Sequence, residues 1–205
     1  MWVAQLGAIL LTLVALYLSG IAVGAALLGA KPTRLHLGLT PTLFGHTFGK
    51  LRVELGLLPF GGYVQFGEAG ETFEALSPAR RLLIIFAGPV TLIIVALLLG
   101  DSEAQFPGTF VKLFEAALHP ATEGARLAQR LITLVDQAPL QAMNRLAFAF
   151  AAFNLLPLPP LAGSQALEAL TAGRKVTLPS WTRALGAIVM LTVSGSWLYA
   201  MISRR

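Results

Sequence analysis

The sequence predicts a membrane-embedded all-α bundle of about four transmembrane helices. A small membrane-associated β-sheet or hairpin is expected between helices 1 and 2. Three observations predict this class. Charged residues make up only 12% of the 205 residues while 56% are hydrophobic, against roughly one quarter charged in an ordinary soluble domain. Several apolar runs approach or exceed the roughly 20 residues that cross a bilayer. Between the first two runs the pattern changes to period-two alternation, the spacing of strands.

The first span is expected over 3–29. Its run from Trp2 is too long for a signal-peptide core and lacks a basic start, so it reads as a retained helix. Gly20 and Gly24 give it a small-xxx-small face for close packing on a neighbouring helix. A strand region is expected over 33–67, where Leu35, Leu37 and Leu39 alternate, then Leu51, Val53, Leu55 and Leu57. Thr40-Pro41, Gly45 and Gly49 punctuate it as turns. Backbone of this kind is tolerated at membrane depth only where protein or a wet cavity covers it. The second span, 78–100, starts sharply, with Ser77 as N-cap and Pro78 in the first helical position.

Residues 101–140 are polar enough to leave the membrane. Two short extracytoplasmic amphipathic helices are expected within 106–137, separated by Pro120. Phe110, Leu113, Phe114 and Ala117 share a face of the first; Leu127, Leu131, Leu134 and Val135 share a face of the second. They read as a helical cap, with partner docking as an addition to it. The third span is 141–156, broken at 157–163 by the prolines of "LLPLPPLAG". A short helix follows over 165–170, and the fourth span is 183–202. The whole of 1–205 reads as one integral membrane domain.

The formal charge of +5 fits topology-setting loops. The loop between spans 1 and 2 carries Lys31, Arg34, Lys50, Arg52, Arg80 and Arg81; the 101–140 loop carries only Lys112, Arg126 and Arg130. The positive-inside rule puts the first loop in the cytoplasm and both termini outside. The tail Arg204-Arg205 opposes this with the smaller signal. Aromatic and basic residues are not interleaved as in single-strand binders, so nucleic acid is not an expected partner. The absence of cysteine excludes disulfides and thiolate metal sites.

Three stretches carry a resemblance: "PFGGYVQFGE" (59–68), "SPARRLLIIFAGPVTLII" (77–94) and "FNLLPLPPLAG" (153–163). Their order and spacing resemble the site-2 protease family of intramembrane zinc metalloproteases, over about residues 15 to 170. The resemblance implies a site-2-protease-like core. It also implies a zinc held by two His at i and i+4 and by the Asp of an L-D-G segment, with a Glu as general base. Aligned without gaps from "RLHLGL", the H-E-x-x-H positions fall on Tyr17, Leu18, Ser19, Gly20 and Ile21, and the Asp position on Ala162. Leu, Ile and Ala have no donor atom, and a phenol keeps its proton at neutral pH. The resemblance therefore implies a degenerate member with no metal, no cofactor and no protease activity.

Other donors do not restore the site in sequence. His36, His46 and His119 form no i, i+4 pair and read as surface or loop-packing residues. Ser19 and Ser164 have no base suited to nucleophilic chemistry beside them. Gly20, Gly24 and Gly88 read as helix packing. Arg145 is the one charge well inside a span, near Asn144 and Asn154. It is either paired in the interior or snorkelling at the outer interface.

The expected function is that of a binding or structural accessory subunit of a larger membrane protein complex. Its partners are other membrane proteins and the lipid bilayer, and its place is the bacterial cytoplasmic (inner) membrane. By resemblance, the segment Pro59, Phe60, Gly61, Gly62, Tyr63, Val64 and Gln65 offers an edge to a partner strand. About 40 residues stand where the family often carries a PDZ domain. Two alternatives remain open: a protease with a displaced zinc site, and a small transporter or channel with a proline-broken helix.

Overall fold

The computed structural model describes residues 2–67, 70–100 and 119–171, with isolated helical positions elsewhere. The first expected cap helix and the fourth span, 183–202, lie outside the described residues. Helix α1 is Trp2–Leu28, strand β1 is Pro32–Phe48, strand β2 is Leu51–Phe66, helix α2 is Glu71–Glu74 and helix α3 is Pro78–Leu99. After a π-helical turn at Pro120–Gly124 come α4 (Ala125–Gln137), α5 (Pro139–Asn154) and α6 (Ala162–Thr171). Helices α1 and α3 are long and apolar enough to cross a membrane. At 16 residues, α5 is shorter than the roughly 20 required.

The chain forms two compact units, one of residues 7–92 and one of residues 1–6 with 93–205. In the first, α1 and α3 meet through their small residues. A Cβ added to Gly24 would lie 2.9 Å from Ala87 Cβ, and one on Gly20 would lie 2.9 Å from Ala87 O. On the facing helix, a Cβ on Gly88 would lie 2.6 Å from Tyr17 Cε2 and 3.0 Å from Ile21 Cγ1. The backbones approach closely because these positions have no side chain to hold them apart. Gly20, Gly24 and Gly88 thus pack inside the chain itself. At the end of α1, Ala25, Ala30 and Ile84 form a buried cluster joined by Ile21, Leu28, Phe66, Phe73 and Leu76. The entry to α3 is tied down by Arg81, whose side chain donates to the carbonyls of Leu76 (3.0 Å) and Glu74.

The sheet is small and mixed. Strands β1 and β2 each double back, so four segments lie side by side: 62–66, 34–37, 51–56 and 42–48. The first two run antiparallel, with Leu35↔Val64 and Leu37↔Gly62 as partners. Arg34-Leu35-His36-Leu37 then pairs in step with Arg52-Val53-Glu54-Leu55, a parallel register. The hairpin from Phe44↔Leu55 to Phe48↔Leu51 closes through Gly49, whose φ of 61° is a conformation glycine adopts at little cost.

In the second unit, amphipathic α4 packs on α5. Asn144 of α5 donates to Ala96 O of α3 at 2.6 Å, while Asn154 bonds back to Phe150 O in its own helix at 2.9 Å. The proline break folds tightly onto α6: the carbonyls of Leu155 and Leu156 occupy the place a Cβ on Gly163 would take. Ser164 Oγ donates to Leu161 O at 2.9 Å.

Candidate functional site

Tyr17, Leu18 and Ile21 lie in the middle of α1, an apolar helix without a charged residue. Tyr17 and Ile21 cover Gly88 of α3. Leu18 is buried and points at the sheet: its Cδ1 would lie 2.6 Å from a Cβ on Gly62. A bare glycine is required there, since the same Cβ would also strike His36 O and the φ of Gly62 is +152°. Ala162 opens α6 and is buried, in the other compact unit.

The contact of Gly62 with Leu18 fixes where the sheet lies along α1. The interval from Leu18 to Leu28 is about 15 Å of helix. From Gly62 the outer segment climbs to Phe66, about 13 Å at strand rise. There Phe66 joins the cluster around Ala25 and Ala30, and Gly67 N bonds Lys31 O at 3.1 Å. The two lengths agree, so the sheet runs beside the second half of α1 instead of standing beyond its end.

Strand alternation gives the sheet two unlike faces. One carries Leu35, Leu37, Val53, Leu55, Gly62, Val64 and Phe66; on it Gly62 meets Leu18 of α1 and Phe66 joins the cluster of Ala25, Ala30 and Ile84. The other carries Arg34, His36, Arg52, Glu54, Tyr63 and Gln65. On this polar face Glu54 is buried, and its Oε1 receives Arg52 Nε at 2.7 Å and Arg34 at 3.2 Å. Both guanidiniums are partly exposed and reach down from the charged end of the sheet. His36, also buried, stacks parallel on Tyr63 at 5.3 Å between ring centroids. Its Nδ1 lies 3.0 Å from Gly38 O. A carbonyl can only accept, so Nδ1 carries the proton. With Nδ1 as the donor, the lone pair of this tautomer is on Nε2, which lies 3.2 Å from Thr42 Oγ1, a hydroxyl able to donate to it.

The zinc that such a family implies does not fit the residues in its expected places. Leu18, Ile21 and Ala162 have no donor, and Tyr17 and Ile21 are committed to the seam with Gly88. His36 has its ligating lone pair engaged by Thr42, and His46 lies on the exposed outer segment against Phe48. Among the described residues no three His, Asp or Glu side chains converge as a metal site would require. No catalytic step can be built through a metal on these groups.

The expected partner-binding stretch, Pro59–Gln65, lies in β2. Its last part, with Phe66, forms an outer segment of the sheet. Among the described residues, no further strand pairs along its outer side. Tyr63 is exposed, with Val64 and Gln65 half-buried. Asn144 and Arg145 adjoin on α5, Asn144 fully buried and Arg145 half-buried; Asn154 closes the same helix. The residues that sequence reasoning missed are Arg34, His36, Arg52 and Glu54. It assigned His36 to the surface or to loop packing and the arginines to topology, yet His36 is 3% exposed and the arginines hold a buried carboxylate. The signal was present as the paired tetrapeptides R-L-H-L and R-V-E-L, which place polar groups on alternate positions.

Comparison with known proteins decides the family. A model of Peptidase family M50 matches residues 8–194. The chain belongs to this family, that of the site-2 proteases. It is 32% identical over 127 residues to a Neisseria meningitidis protein named "Putative zinc metalloprotease", covering 57% of this chain and 28% of that one. A Chlamydia pneumoniae protein of the same description is 31% identical over 104 residues, 42% of this chain and 17% of its own length. A third, from Clostridium perfringens, is 32% identical over 90 residues, 41% of this chain and 27% of its own. The chain thus matches under a third of the length of each of these relatives. With family membership and two spanning-length helices, this M50 chain is a membrane protein.

Proposed function

We propose that this M50 chain is a catalytically inactive family member serving as a binding or structural subunit of a larger membrane protein complex. The observation that carries the reading is the chemistry of Tyr17, Leu18, Ile21 and Ala162. The family's ligand and base positions hold a phenol and three hydrocarbons, and two of these side chains seal a helix seam. The outer side of Gly62–Phe66, along which no further strand pairs among the described residues, supports the addition of a partner strand there, beside a polar face whose charges are already paired. In this reading the chain lies in a bacterial inner membrane with four spans, the basic first loop inside and both termini outside, which the excess of Lys and Arg in that loop supports.

The test is purification from native membranes in mild detergent, with zinc analysis, a cleavage assay on a membrane-spanning substrate, and identification of co-purifying proteins. The expected result is zinc far below one per chain, no cleavage and a stoichiometric membrane partner. A lone monodisperse monomer overturns the subunit reading. The names of the relatives favour one second reading, a metalloprotease with a displaced zinc site. Stoichiometric zinc, lost on changing His36 and His46 to Ala, establishes that reading and overturns the first.

A further inference from the structure

We draw no further inference here: the strongest candidate, the outer segment of the sheet at Thr42–Phe48 with Phe44 and Phe48 exposed, carries nothing, because no further strand pairs along its far side among the described residues and nothing in the structure shows what covers it.

Discussion

The seam between α1 and α3 and the polar face of the sheet lie within the same compact unit and follow opposite rules. The seam is small, apolar and closed: Tyr17 and Ile21 fill the space over Gly88. The sheet face carries two arginines, a glutamate and a histidine beside the second half of a membrane helix, each engaged. Buried ionic groups are costly unless paired, and hydrocarbon replacements are often neutral or better. A sheet kept only as scaffold would have no physical need of this row. The contrast is that of a closed apolar helix seam and a polar sheet face whose groups are engaged.

The largest effect is expected from breaking the seam. In the Gly88→Val variant the added carbons meet the Tyr17 ring and Ile21, and helix backbone leaves little room to yield. Overpacking of this kind costs about 3 kcal/mol, read as a lower melting temperature in detergent. Adding Tyr17→Ala should restore at least half of the loss, a non-additivity expected of residues in contact. If the double variant melts as the sum of the singles, the Tyr17 ring is not what Gly88 accommodates. Next comes Glu54→Ala, which leaves Arg34 and Arg52 facing one another without a counter-charge. Because both arginines are partly exposed, the cost is about 2 kcal/mol instead of the larger penalty of a fully buried broken pair. Glu54→Gln, which keeps an acceptor, should lose about half as much. Equal losses in the two variants would show that packing and not charge holds the row.

The same contrast explains what was legible in the sequence. Helices α1 and α3 were readable because a bilayer-length apolar run has few alternatives, and Pro78 marks the start of the second. The sheet was readable as a region, since Leu35, Leu37, Val53 and Leu55 alternate. Its mixed register was not: pairing R-L-H-L in step with R-V-E-L requires β1 and β2 each to double back, and nothing local to either tetrapeptide records that. The role of Glu54 was hidden for the same reason, because its partners are Arg52, two residues away, and Arg34, in another strand. The three motif stretches located the family. The structure added how the central residues of α1 pack, with ring and branched carbon over Gly88 and Leu18 over Gly62.

His36 tests the polar face at smaller amplitude. Phe in its place keeps a ring to stack on Tyr63 but leaves Gly38 O and the Thr42 hydroxyl without their partner. The expected loss is about 1–2 kcal/mol, the cost of stranding a buried acceptor. Thr42→Val removes only one bond and should cost less, about 1 kcal/mol. That variant also frees the Nε2 lone pair of His36, so zinc added to it is expected to bind more readily than to the parent protein. Equal zinc affinity would mean that Thr42 does not occupy the lone pair.

The smallest effect is expected at Asn144, in the other unit, where the polar chemistry is only half satisfied. Its amide nitrogen bonds Ala96 O at 2.6 Å, while its buried Oδ1 has no partner. The bond stabilises by an amount typical of interhelical pairs, and the orphaned oxygen offsets it by a similar desolvation cost. Leu has nearly the same volume and neither term. Asn144→Leu is therefore expected to shift stability by less than about 1 kcal/mol in either direction, against the larger losses at Glu54 and His36. A loss of about 3 kcal/mol or more would reveal a donor on Oδ1, such as a bound water or a residue of a partner, since only a satisfied amide is that costly to remove. In that case α5 would join Gly62–Phe66 as a place to look for the partner.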